Sequence, residues 1–285
     1  MAHTTLITAT ELMALTQGPA PLVLLDCGFD LADTTAGERA HAAGHLPGAL
    51  YVHLDRDLSG AKTGHNGRHP LPTREALAAS AGRWGVAPGV QVVALDAQGG
   101  PYAARAWWLL RWLGHAEVAV LDGGPAAWVA AGGTLSSAPT AARPVAPYPA
   151  LAPAMPTLDA ATLQARLPAL AAGELRLFDA RAAERYRGDV EPLDPVAGHI
   201  PGATLRFFKD NLGPDGRFKP AAQLRAEFEA MGGADSSAVV HQCGSGVTAC
   251  HNLLAMAHAG LGTSALYPGS WSEWCSDPAR PVARG

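Results

Sequence analysis

VVHQCGSGVTACHNLL, Val239–Leu254, decides how this chain is read. A buried-strand pattern ends at Cys243, Gly-Ser-Gly follows, and apolar residues then recur at helical spacing. A thiol needed only for packing does not require a strand, a bend and a helix start around it. An earlier stretch, VVALDAQGG (Val92–Gly100), has the same strand and turn with Asp96 where the later one has Cys243.

Other elements repeat in the same order. LVLLDCGFD (Leu22–Asp30), AGHLPGAL (Ala43–Leu50) and VLDGGPAAW (Val120–Trp128) are matched by LRLFDAR (Leu175–Arg181), AGHIPGAT (Ala197–Thr204) and LYPGSWSEW (Leu266–Trp274). The order is kept while loop lengths drift, as in a duplicated domain. Between the copies, Ser136–Pro156 holds six prolines without an amphipathic period and is expected to be an extended linker. The expected domains are residues 1–135 and 157–285, joined by 136–156.

LVLLD, QVVALD and AEVAVLD have strand character, whereas ALAASAGRWG and AARAWWLLRWLG have helical spacing. Strands alternating with helices, without hairpin signals, predict α/β domains with mainly parallel sheets flanked by helices. Sites in such sheets form where loops leave the carboxyl ends of strands, which is where Cys243 falls. Trp107, Trp108 and Trp112 share a helical pattern and are expected in the first core.

The 285 residues fit two ordinary domains, and a hydrophobic content of 48% lets each bury a core. The net charge of -4, without a Lys/Arg stripe, argues against a nucleic-acid surface. No apolar run is long enough to span a bilayer, and the first residues lack the pattern of a secretory signal. Four cysteines in a chain this long do not form a disulfide framework, so a reducing, cytoplasmic setting is expected. Cys27 and Cys250 are expected to pack in cores, and Cys275 to be either packed or exposed. His65 and His69 lack the spacing and further ligands of a zinc set, so no metal is expected.

Around Cys243 the residue types suit chemistry at sulfur. Gly244 and Gly246 permit positive φ, which lets successive amides turn toward one point. A helix starting near Val247 adds its positive end, with Thr248 as a candidate cap. A thiol held there is favoured as thiolate, the reactive form. Phosphatase chemistry of the C-x5-R type lacks its arginine, because Ala249 stands there, and no C-x-x-C pair exists. Transfer of sulfur through a persulfide fits best.

The ordered set Asp179-Ala180-Arg181, Gly198–Ala203 and Cys243–Thr248 resembles the tandem-domain sulfurtransferases of the rhodanese family. That resemblance implies a first domain that has lost its cysteine, here to Asp96, and an active site at the domain interface. It implies Cys243 as nucleophile, cradled by Gly244, Gly246, Val247 and Thr248, and Arg185 as a ligand for the donor's anionic group. The segment Ser59–Pro72 resembles a loop that brings a proton-transfer histidine, His69, to the loop serine, Ser245, with Arg68 adding positive charge. Gly60 stands where some members complete this relay with an aspartate; Asp55 and Asp57 are the nearby alternatives.

CGSGVT resembles the 3-mercaptopyruvate-preferring loop rather than the basic loop of thiosulfate-preferring members. Asp194 departs from the pattern, since mercaptopyruvate-type members often carry a second arginine there. The resemblance implies transfer from 3-mercaptopyruvate to cyanide, a small thiol or thioredoxin, without metal or organic cofactor. Thiosulfate as donor is the alternative, a non-catalytic partner-binding module a more distant one, and a phosphatase or arsenate reductase the most distant.

Overall fold

The computed structural model describes residues 2–149 and 151–285. They form two compact units. The first comprises residues up to 60, 72–154 and 214–218; the second comprises 61–71, 155–213 and 219–285. A segment early in the chain, 61–71, therefore belongs to the second unit.

The first unit has strands β1 (Leu6–Ile7), β2 (Leu22–Asp26), β3 (Ala49–Tyr51), β4 (Gln91–Leu95) and β5 (Val118–Leu121). Its helices are α1 (Ala9–Gln17), α2 (Ala36–Ala43), α3 (Arg74–Trp84), α4 (Pro101–Leu113) and α5 (Gly124–Ala130). All strand pairs are parallel, in the order β1-β5-β4-β2-β3. Every residue of β4 is buried, as expected of a central strand covered on both faces. Pro101 opens α4 where a missing N–H costs nothing, and Gly114 closes it. Trp107 and Trp108 are fully buried on that helix, while Trp112 is half-buried and stacks on Trp108.

The second unit has strands β6 (Arg176–Asp179), β7 (Ala203–Leu205), β8 (Val239–Gln242) and β9 (Ala265–Leu266). Its helices are α6 (Ala160–Ala165), α7 (Leu167–Ala172), α8 (Ala183–Arg187), α9 (Ala221–Ala230), α10 (Ala249–His258) and α11 (Ser270–Trp274). The parallel order β7-β6-β8-β9 repeats that of the first sheet without its outer strand. A single parallel bridge from Thr157 to Leu266 stands where β1 pairs with β5. Leu163, Leu177, Ile200, Val240, Tyr267, Trp271 and Trp274 build its core.

Residues 137–149 of the proline-rich stretch form no helix or strand and hydrogen-bond to α3, through Val145 N–H to Gly82 O and Tyr148 N–H to Ala78 O. In GHxPGA, His45 Nδ1 lies 2.7 Å from His41 O and His199 Nδ1 2.8 Å from Tyr186 O. Each imidazole thus ties the strand entry to the preceding helix. Among the described residues, no helix is long and apolar enough to cross a membrane.

Candidate active site

In the second sheet, β6 and β8 are adjacent central strands, and consecutive connections leave them toward opposite edges of the sheet. The crevice at such a switch point is the usual site of α/β sheets. Asp179 and Gln242 end the two strands in register, so Arg181 and Cys243 emerge side by side.

Cys243 is 2% exposed. Its amide donates to Ser270 Oγ at 3.1 Å, and its carbonyl accepts from Trp271 N–H at 3.0 Å. Ser270 is the one non-glycine residue with positive φ, 55°, among the described residues. Left-handed backbone is strained for serine, and its hydroxyl, bonded to both Cys243 N–H and Tyr267 O, holds it there. This support was missed in the sequence, although the alignment of YPGSW with LDGGP, which places Ser270 opposite Gly124, carried the signal.

The loop glycines work differently from one another. Gly246 takes φ 76°, and a Cβ there would collide with the Pro268 carbonyl. Gly244 does not take positive φ. Its bare Cα instead makes room for guanidinium groups: a Cβ would stand 2.8 Å from Arg68 Nη2 and 3.3 Å from Arg185 Nη1. The helix begins at Ala249 rather than near Val247, and Thr248 precedes it without a side-chain cap, so the expected hydroxyl cap is absent. Among the described residues, neither the Ser245 nor the Val247 amide has an acceptor.

Ser245 Oγ lies 2.7 Å from His69 Nδ1, both side chains being buried. Segment 61–71 brings His69 there, and Arg68 N–H donates to Ser272 Oγ at 3.0 Å beside it. Asp57 is engaged in its own turn, accepting from His53 N–H at 2.9 Å.

Three arginines are held by three carboxylates. Arg181 grips Asp179 through Nε and Nη2, donates to Gly198 O, and lies 4.8 Å from the centre of the Trp271 ring. Burial works against its charge, yet Asp179 and Glu191 outweigh that, and its pKa stands above the ordinary value. Arg185 donates to Glu191 through Nε at 3.2 Å and Nη2 at 2.6 Å. Asp194, 3% exposed, gives Oδ1 to Arg68 Nη1 and Oδ2 to Arg185 Nη2 at 3.4 Å. Glu191 carries no signal in the sequence, because a carboxylate in a proline-rich loop has no periodicity, and Asp194 shows there only as a departure from the resemblance, not as the partner of Arg68 and Arg185.

In the first unit, Asp96 occupies the strand end equivalent to Cys243. Its carboxylate accepts from the amides of Gln98, Gly100, Tyr102 and Ala103 at 2.8–2.9 Å. Burial raises its pKa despite those four bonds. Cys27 is also fully buried, and burial pushes its thiol well up, as befits a core cysteine. Cys250 and Cys275 are buried too.

A rhodanese-like domain profile matches residues 8–131 and again 160–277. The chain belongs to the rhodanese family. It is 50% identical over the full length of both chains to a probable 3-mercaptopyruvate sulfurtransferase of Pseudomonas aeruginosa. It is 42% identical to a putative thiosulfate sulfurtransferase of Mycobacterium tuberculosis, over 98% of this chain and 97% of that one. A solved 3-mercaptopyruvate sulfurtransferase from Leishmania major superposes with a TM-score of 0.82 at 29% identity, covering 95% of this chain and 74% of that one. Each unit thus contains a rhodanese domain, and Cys243 lies in the second.

Proposed function

We propose that this chain is a sulfurtransferase that takes sulfur from 3-mercaptopyruvate, carries it as a persulfide on Cys243 and delivers it to cyanide or a thiol. One observation carries the reading. A thiol stands at a strand end and opens the loop of Ser245 and Val247, whose amides have no acceptor among the described residues, with Ser245 2.7 Å from His69 and two guanidiniums over Gly244.

In this reading the Cys243 thiolate attacks the donor sulfur. The S–S bond forms as the donor C–S bond breaks, and the electron pair stays on carbon as the enolate of pyruvate. His69, acting through the Ser245 hydroxyl, returns a proton to that carbon. Gly244, Gly246, Val247 and Thr248 shape the amide cradle that stabilises the anionic outer sulfur. Arg185 and Arg68 hold the donor carboxylate, guanidinium geometry being suited to it. Cyanide or a thiolate then attacks the outer sulfur and releases the Cys243 thiolate, so covalent catalysis carries both steps without metal or cofactor.

Residues 157–285 are the catalytic domain in this proposal, and residues 1–135 the domain that carries Asp96 instead of the thiol. Reduced thioredoxin is the protein acceptor, and the cytoplasm the compartment that keeps Cys243 reduced. The name of the Mycobacterium tuberculosis relative favours a second reading, thiosulfate as donor. Peptide mass spectrometry after incubation with 3-mercaptopyruvate tests the first. Cys243 should gain one sulfur atom and lose it to cyanide as thiocyanate, and Cys243→Ala should form no pyruvate. A Cys243 peptide of unchanged mass would sink the reading, and loading by thiosulfate alone would favour the second.

A further inference from the structure

The two guanidiniums nearest the thiol loop already share an anion. Asp194 gives one carboxylate oxygen to Arg68 and the other to Arg185, at 3% side-chain exposure. Its position is fixed from below: Glu191 Oε1 accepts the amides of Leu193 and Asp194 at 3.1 and 3.3 Å while its carboxylate holds Arg185. Arg68, Arg181 and Arg185 are thus matched one for one by Asp179, Glu191 and Asp194, a formally neutral cluster. Arg68, one of the three cations, comes from 126 residues earlier in the chain than the Asp194 it meets.

We propose that Asp194 sets the charge preference for the sulfur donor, admitting a monoanionic α-keto acid and disfavouring dianionic thiosulfate; this rests on the persulfide reading above. A donor's free energy in the field of the site scales with its charge, so each unit of site charge acts twice as strongly on a dianion as on a monoanion. A neutral cluster offers nothing to the second charge of a dianion, which the Cys243 thiolate repels. A monoanionic carboxylate needs only one face of the Arg68–Arg185 pair, sharing it with Asp194. Removing the Asp194 charge leaves the cluster with one net positive charge and favours the dianion.

The test compares kcat/KM for thiosulfate and for 3-mercaptopyruvate in the wild type, Asp194→Asn and Asp194→Glu, at low and high salt. In Asp194→Asn the ratio of thiosulfate to mercaptopyruvate activity should rise about tenfold at low salt and shrink back as salt screens the new charge. Asp194→Glu should hold the ratio within about threefold of wild type. A ratio unmoved or lowered in Asp194→Asn overturns the inference. Should the Asp194→Asn chain fail to fold, the wild type still decides. Pyruvate should compete with mercaptopyruvate at a concentration about tenfold or more below that of sulfate, and the reverse order overturns the inference. Absence of any sulfur gain on wild-type Cys243 would overturn the persulfide reading and this inference together. A normal gain with an unmoved ratio overturns this inference alone.

Discussion

After β4, the Asp96 carboxylate receives the amides of Gln98, Gly100, Tyr102 and Ala103. After β8, the same strand end carries Cys243, and the amides of Ser245 and Val247 have no acceptor among the described residues. A turn that aims amides at one point needs an anion there to be at its most stable. The first domain builds the anion into the chain; under the function proposed above, the second receives it as the outer sulfur on Cys243. The comparison teaches that one strand-end turn serves two designs: in the first domain Asp96 is a structural clamp on its own loop, whereas in the second the same position carries a thiol.

The largest effect should come from making the second loop like the first. Cys243→Asp should abolish sulfur transfer to below detection while the melting temperature stays at or above that of the wild type, because the new carboxylate takes up the loop amides. A lower melting temperature would break the equivalence of the two loops.

Emptying the first cradle should cost stability instead of chemistry. Asp96→Ala leaves buried amides without acceptors, and the first domain should lose about 3–5 kcal/mol, seen as an earlier transition in urea unfolding of the full chain. Asp96→Asn, which keeps one acceptor oxygen, should recover about half of that loss. Unfolding curves that coincide with the wild type would show that the clamp holds nothing.

Ser270→Gly sharpens the comparison from the neighbouring loop, since Gly124 has φ 56° where Ser270 has 55°. Glycine relieves the strain but removes the acceptor for the Cys243 amide. Turnover should fall about tenfold while stability changes by less than about 1 kcal/mol. Unchanged turnover would show that the Ser270 hydroxyl does not set the position of the thiol.

The smallest effect separates the two strands. Ala94, on β4, has as its counterpart on β8 the fully buried His241, with Nε2 3.1 Å from Met256 Sδ. Burial, with Arg206 adding to it, lowers the His241 pKa to about 3. The unfolded chain therefore binds a proton that the folded chain refuses, so stability falls as pH drops below the unfolded value of about 6.5 toward 3. This group alone contributes up to about 1.4 kcal/mol per pH unit there. His241→Leu should flatten the pH dependence of the melting temperature between about pH 6 and 4. An equally steep dependence would assign the acid sensitivity to other groups.

Local pattern was enough for much of this protein. The repeated strand, turn and helix segments, the cysteine at a strand end and its aspartate counterpart lie within short windows, where hydrophobic periodicity and turn residues act directly. From those windows the α/β class, the duplication and the resemblance to rhodaneses follow. The tertiary structure alone decided what surrounds the thiol. It took residues 61–71 into the second unit, and it set His69 beside Ser245 across 176 residues of chain. It showed Gly244 making way for guanidiniums instead of turning the backbone, and Asp194 as the shared partner of Arg68 and Arg185. Periodicity records which face of an element is buried, whereas ion pairs and proton paths depend on which buried faces meet.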